Sequence, residues 1–175
     1  MSIEIDIISG KAGWPAAQPL LAAVWPPAEA QARPWSHLAF AHADLRVLIE
    51  TPEHGVACHV GIYRRTGTWN GRKVLIGGIG GVATRENCRG RGYATLALNA
   101  AVRTLQDEGA IDFGMLFCEP HLAGFYEARG WQSFDGEVYA EQPGGRARLT
   151  VLMPYVVRIR RLLRAGTIDL CGLPW

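Results

Sequence analysis

Charged residues make up only 19% of this 175-residue chain, and neither sign dominates, with 18 Lys and Arg against 16 Asp and Glu. The resulting net charge of +2 is too small to indicate nucleic acid or a membrane surface as a partner. Cysteine is sparse as well. Cys58, Cys88, Cys118 and Cys171 lie far apart, with no C-x-x-C pair and no paired histidine spacing, so no zinc site is expected. A domain of this length buries about 70% of its unfolded surface and needs no disulfide framework. No apolar run approaches the roughly 18 residues of a membrane-spanning helix. The opening MSIEIDIISG has neither a basic n-region nor an apolar h-region, so nothing in it marks export. The expectation is a reduced, cytoplasmic single domain over residues 1–175, without metal.

What is present is an ordinary globular composition, 49% hydrophobic, punctuated by 21 glycines and 10 prolines. Residues 3–8 alternate as a first strand does. Residues 13–43, rich in Ala, Pro and Trp, read as irregular helices broken at Pro15, Pro19, Pro26, Pro27 and Pro34. Leu45 to Glu50 reads as a second strand. Gly55 to Thr66 and Arg72 to Thr84 read as a third and fourth, joined at Trp69-Asn70-Gly71. Asn-Gly between two apolar runs is a strong hairpin signal, so these two strands should be antiparallel neighbours.

Beyond the fourth strand the period changes. Ala94, Leu98, Ala101, Val102 and Leu105 recur at spacings of three and four, with Thr95, Asn99, Arg103 and Gln106 on the other side. An amphipathic helix over Ala94–Glu108, stopped by Gly109, follows from that pattern. Phe113 to Cys118 reads as a buried fifth strand. Strand, helix and strand in this order form a βαβ unit whose strands should be parallel. A second helix is expected from about His121 to Ala128, and late strands at Trp131–Phe134 and Leu149–Tyr155. Arg158, Arg160, Arg161 and Arg164 read as a solvated face.

Two glycine-rich segments are candidates for phosphate contact. Gly78-Ile79-Gly80-Gly81-Val82-Ala83 fits the letters of a dinucleotide fingerprint, but Thr84 to Asn87 interpose a loop before any helix. Glycines inside a strand mark instead a bulge or a place where another backbone or a ligand comes close. Arg89-Gly90-Arg91-Gly92-Tyr93-Ala94 stands directly before the amphipathic helix. The free N–H groups and positive dipole end of a first turn favour an anion there, two glycines open the backbone, and Arg89 and Arg91 add charge. The absence of G-K-[ST] excludes a Walker loop.

RGRGYA matches the acyl-CoA pyrophosphate motif [QR]-x-x-G-x-[GA] of the GNAT N-acyltransferase superfamily at Arg89, Gly92 and Ala94. The segment Phe125-Tyr126-Glu127-Ala128-Arg129-Gly130-Trp131 resembles that superfamily's second signature, [LF]-Y-x-x-x-G-[FW]. Separated by one helix and one strand, the two motifs together are specific, and the resemblance covers roughly residues 45–155. GVACHVGIYRR at residues 55–65 is similar to nodulation N-acyltransferases. The tail ending in Trp175 and the stretch Gly81–Ala94 resemble aminoglycoside 2′-N-acetyltransferases. Two acids of the latter are replaced here by Gly80 and Pro34, which disfavours a polycationic acceptor.

The resemblance implies a mixed, mostly antiparallel α/β (α+β) sheet with a central βαβ unit and flanking helices. It also implies direct transfer of an acyl group, acetyl first, from acyl-CoA to the primary amine of a small acceptor. Val82 and Thr84 would bind the pantetheine arm through the main chain, residues 89–94 would bind the pyrophosphate, and Tyr126 would protonate the departing thiolate. An alkyl amine of pKa near 10.4 is neutral at pH 7 only about once in 10³·⁴, so its proton needs an acceptor. His59, Glu119, His121 and water all stand as candidates for that base. Gly80, Glu119, Asp169 and Trp175 are the candidate acceptor-side residues, the Asp169 side chain and the Trp175 carboxylate offering anions to a cationic amine. Trp175 alternatively packs on the core or on a partner subunit in a homodimer. The competing functions are a CoA-binding module of the same fold without turnover, and a dinucleotide-binding enzyme.

Overall fold

Asn70 and Gly71 both take positive φ, at 48° and 79°, and turn the chain between β3 (Gly55–Trp69) and β4 (Arg72–Thr84). Those are the dihedral signs of a type I′ hairpin, whose twist matches that of the strands it joins. The computed structural model describes residues 2–175, and this hairpin is the spine of its ten-stranded sheet. β1 (Glu4–Ser9) pairs with β2 (Leu45–Thr51), and β2 pairs antiparallel with the first half of β3. On the other side, β4 runs parallel to β5 (Phe113–Cys118), the helix α3 (Tyr93–Asp107) making the crossover. The fold is thus the mixed, mostly antiparallel α/β sheet that the motifs imply.

Three short strands have no counterpart in the periodicity. β7 (Glu137–Gln142) and β8 (Gly145–Arg148) form a hairpin, and β10 (Thr167–Asp169) runs parallel to β7 and antiparallel to the far end of β3. Their sequences, EVYAEQ, GRAR and TID, are too short or too charged to carry a clear alternation. The late strands expected at Trp131–Phe134 and Leu149–Tyr155 shrink and shift to β6 (Gln132–Ser133) and β9 (Met153–Arg158).

The prolines also behave differently from expectation. α1 (Gly10–Val24) passes through Pro15 and Pro19 unbroken, and only α2 (Pro27–Gln31) is separated from it. Gly10, Gly13, Ala17 and Leu20 form its buried stripe, while both prolines lie on the solvent face. Each proline removes one hydrogen bond, and the freed carbonyls on that side can tilt out to water. Ser9 caps the start by accepting from the Ala12 N–H at 3.2 Å.

Two apolar clusters cover the faces of the sheet. One gathers Leu98, Ala101 and Leu105 of α3 with Val47, Ile49, Val60 and Leu116. The other gathers Tyr63, Ile76, Phe113, Met115 and Trp175 on the opposite side. No helix among the described residues is long and apolar enough to cross a membrane.

Candidate active site

β4 and β5 part company along their length. Their parallel register runs from Ile76 with Phe113 to Ile79 with Leu116, and stops there. β4 continues to Thr84 against β3, and β5 continues to Cys118 against β9, so a gap opens between them. On the β3 side, His59 aligns with Ala83 and Gly61 with Gly80, leaving Gly81 and Val82 opposite the single residue Val60. This is a β-bulge, with Gly81 at φ 57° in the left-handed region that only glycine enters freely. The bulge bends β4 away from β5 and leaves one edge of Gly80–Thr84 without a strand partner. The glycine run expected to mark a bulge therefore does so.

A buried relay holds the bulge. Arg46 donates from Nη1 to His59 Nε2 at 3.0 Å, and His59 Nδ1 lies 2.7 Å from the Gly81 carbonyl. A guanidinium only donates and a carbonyl only accepts, so the imidazole is neutral with its proton on Nδ1. Burial pushes the His59 pKa down to about 4, a stronger effect than the opposing carbonyl bond. Arg46 is secured by Nε donating to the Gly10 carbonyl at 2.8 Å and by the face of Trp14 at 5.0 Å. Both nitrogens of His59 are occupied, so it is not free to act as a base. Arg46 escapes sequence reading because its partner lies on another strand. A lone Arg inside LRVLI, facing a lone His inside CHVGI, is the signal that was there to find.

The loop before α3 is open and unoccupied by protein. Gly90 and Gly92 have φ of 75° and 80°, and a Cβ on either would meet nothing within 4 Å. Gly92 caps α3 without any side-chain bond, so the first-turn N–H groups keep their orphan character. Arg89 Nε donates to the Thr84 carbonyl at 3.2 Å and ties the loop to the end of β4. Arg91 is exposed, whereas the Tyr93 ring is buried in the α3 cluster and leaves only its main chain toward the loop.

Tyr126 lies in the short helix α4 (Ala123–Glu127), preceded by a 3₁₀ turn at Pro120–Leu122 instead of by the longer helix expected from His121. It is 5% exposed and held edge-on by Phe125 and Trp131, with centroids 5.0 and 6.4 Å away. Among the described residues its hydroxyl has no hydrogen-bond partner, and burial followed by the nearby Cys118 thiol raises its pKa strongly. Its position is set by neighbours. Tyr155 donates to Glu127 Oε1 at 2.6 Å, and that bond drives the Tyr155 pKa up to about 12. Arg129 bridges α4 to α3, donating to Thr95 Oγ1 at 2.8 Å and to the Phe125 carbonyl at 2.7 Å. Cys118 ends β5 beside these groups, and burial lifts its thiol to about 11, which keeps it protonated.

The acceptor-side candidates are spread differently. Trp175 is buried over β4, stacked on Tyr63 with 5.9 Å between centroids, and its indole N–H donates to the Met115 carbonyl at 3.0 Å. A Cβ on Gly78 would collide with that indole, and one on Gly80 would lie 3.1 Å from the main-chain carboxylate carbon of Trp175. The open glycine face is thus filled by the chain itself. Glu119 stands at the N-terminal end of the 3₁₀ turn, its carbonyl accepting from the Leu122 N–H, but its side chain makes no capping bond. The carboxylate pairs instead with Arg33, 3.3 Å away, an ion pair that reading by local spacing could not find. The Asp169 carboxylate accepts from Arg146 at 2.7 Å and from the Cys171 N–H at 2.9 Å, and these bonds hold its pKa below the usual range even against burial. His121 is exposed. Among the described residues no cluster of three or more His, Cys, Asp or Glu is placed to hold a metal ion.

The family profile described as "Acetyltransferase (GNAT) domain" matches residues 9–134. An aminoglycoside 2′-N-acetyltransferase from Mycolicibacterium fortuitum is 31% identical over 96 residues, 54% of this chain and 48% of that protein. The similarity thus spans about half the length of that curated relative. A structure from Lactobacillus plantarum superimposes with a TM-score of 0.66 at 17% identity, covering 91% of this chain and 99% of that one. The GNAT family N-acetyltransferase YhbS from Escherichia coli, solved in complex with CoA, gives 0.62 at 18% identity over 97% and 89% of the two chains. At these identities the structural matches speak for the fold alone.

Proposed function

The chain belongs to the GNAT acetyltransferase domain family, and from that premise we propose that residues 1–175 form an acyl-CoA-dependent N-acyltransferase. It transfers the acyl group, with acetyl-CoA as donor, to the primary amine of a small molecule. The observation that carries this reading is Tyr126, a side chain 5% exposed beside the gap between β4 and β5, whose hydroxyl is protonated and bonded to no group among the described residues. That hydroxyl is not sealed from solvent, so its proton is free to meet a thiolate.

In this reading the pyrophosphate rests on the first turn of α3, against Gly90, Gly92 and the N–H groups of Tyr93 and Ala94, with Arg89 and Arg91 supplying charge. The pantetheine arm lies along the unpaired edge of β4 and takes main-chain bonds at Val82 and Thr84, as an added strand would. The thioester then sits in the gap. The amine nitrogen attacks the acyl carbon from the Gly80 and Trp175 side, the N–C bond forms, and the C–S bond breaks. The sulfur leaves toward the α3 side and takes the Tyr126 proton, and the phenolate recovers a proton from water. The amine proton goes to water, because His59 has no free nitrogen and Glu119 is paired with Arg33. Glu119 acts by holding the segment after α2 against the end of β5.

The test is thiol release from acetyl-CoA with and without added primary amines, with the N-acetyl product identified by mass. Release that requires amine and matches product one for one is expected. A chain that binds acetyl-CoA tightly but releases no thiol with any amine is a binding module and contradicts the reading.

A further inference from the structure

Arg46 on β2 and His59 on β3 are buried on the α1 side of the sheet, 5% and 1% exposed. A charge taken out of water is costly even when bonded, and apolar side chains of like volume often serve stability as well. What the pair adds is a bond to one particular atom. By way of Arg46 and His59, the Gly10 carbonyl and the Trp14 ring of α1 are linked to the Gly81 carbonyl. Gly81 lies in the bulge of β4, where that strand carries one residue more than β3.

That surplus residue sets which main-chain groups face the gap. Ahead of the bulge Gly61 aligns with Gly80, and beyond it His59 aligns with Ala83 and Cys58 with Thr84. If the bulge were lost, the first pairing would continue, with His59 opposite Val82 and Cys58 opposite Ala83. Neighbouring residues of a strand turn their main-chain groups to opposite edges. A slip of one residue would therefore turn the N–H and C=O groups of Val82 and Thr84 from the gap toward β3. Gly81 has no side chain to fix its place, and its carbonyl is the handle that His59 holds.

We propose that Arg46 and His59 are positioning residues for the pantetheine arm, holding β4 in the register that presents the main chain of Val82 and Thr84 to the gap. This rests on the acyl-CoA reading of the site, but it concerns binding of the arm alone. The nucleotide end would meet Gly90, Gly92 and the first turn of α3, to which neither side chain bonds. Loss of the pair therefore weakens ligands that carry the arm and spares those that lack it.

Calorimetry with two ligands tests this: CoA, which carries the arm, and 3′-phosphoadenosine 5′-diphosphate, which is its nucleotide end alone. Arg46→Met combined with His59→Leu removes the tie and leaves no buried charge unpaired, so this double variant should fold. It should bind CoA about tenfold or more weakly than the parent, the worth of one or two main-chain bonds, and the nucleotide end within about twofold. His59→Gln keeps an acceptor for Arg46 and a donor for the Gly81 carbonyl, and should bind CoA within about threefold of the parent. If the double variant does not fold, Arg46→Met alone carries the comparison, with CoA weakened at least about threefold and the nucleotide end unchanged. Unchanged CoA affinity, or an equal loss for both ligands, overturns the positioning role and leaves CoA binding standing. A parent that binds no CoA overturns both this role and the acyl-CoA reading. If CoA binds but no amine releases thiol, acyl transfer alone falls, and the same affinities decide the positioning role.

Discussion

The indole of Trp175 stands where a side chain on Gly78 would stand, and its N–H bonds to Met115, the residue paired with Gly78 across β4 and β5. One side chain thus spans a rung of the parallel ladder immediately before the ladder ends. Tyr63 stacks on the same ring at an interplanar angle of 18°, and the Arg65 guanidinium lies 5.4 Å from its centroid. The start of the gap is fixed from one face by this packing and from β3 by the Arg46–His59 relay.

Gly78→Ala should therefore destabilise the fold by about 1–3 kcal/mol, the usual cost of forcing extra volume into a packed site. In a Trp175→Ala background the same change should cost almost nothing, since the colliding ring is gone. Urea unfolding of the four proteins of this cycle measures the coupling. Additive penalties would show that Gly78 and Trp175 do not compete for space.

Gly92→Val tests the anion loop. No neighbour blocks the new side chain, so the fold should survive, but φ of 80° strains a β-branched residue by about 1–3 kcal/mol. The valine also stands where phosphate must meet backbone. Calorimetry should show acetyl-CoA binding weakened at least tenfold, and an unchanged Kd would contradict the placement.

His59 gives the fold a pH signature. Its folded pKa, about 4, lies below the ordinary 6.5, so the unfolded chain binds its proton more readily. The stabilisation is complete above about pH 6.5, fades as the pH falls through that window, and is gone below about 4. A shift of this size is worth roughly 3 kcal/mol. His59→Gln keeps an acceptor for Arg46 and a donor for the Gly81 carbonyl but cannot titrate. Thermal unfolding between pH 4 and 6.5 should be steeper in pH for the parent than for the variant. Parallel curves would mean that His59 is not held neutral.

These contrasts mark what the chain discloses locally. The β3–β4 hairpin, α3 and the β4–β5 crossover are legible because Asn70-Gly71 and the spacing of Leu98, Ala101 and Leu105 act over a few residues. The glycine loop before α3 and Tyr126 stand out as motifs. β10 is three residues that become a strand only because β3 and β7 flank it, which no local pattern can announce. The same holds for Arg33 with Glu119 and Arg46 with His59, pairs set by tertiary register. The α1 prolines mislead for the opposite reason. A local rule predicts a break, and the packing of Ala17 and Leu20 outweighs it.

Central to the account is the claim that Tyr126 protonates the departing thiolate in the gap, and Tyr126→Phe addresses it with the least disturbance. The substitution keeps the ring against Phe125 and Trp131 and removes a hydroxyl that bonds to nothing among the described residues, so stability should hold. The measurement is the rate of thiol release at saturating acetyl-CoA and amine, alongside the affinity for acetyl-CoA. The account predicts that turnover falls by about 10²- to 10⁴-fold, the usual worth of a positioned acid, while the affinity stays unchanged. A variant that turns over within about threefold of the parent would contradict it.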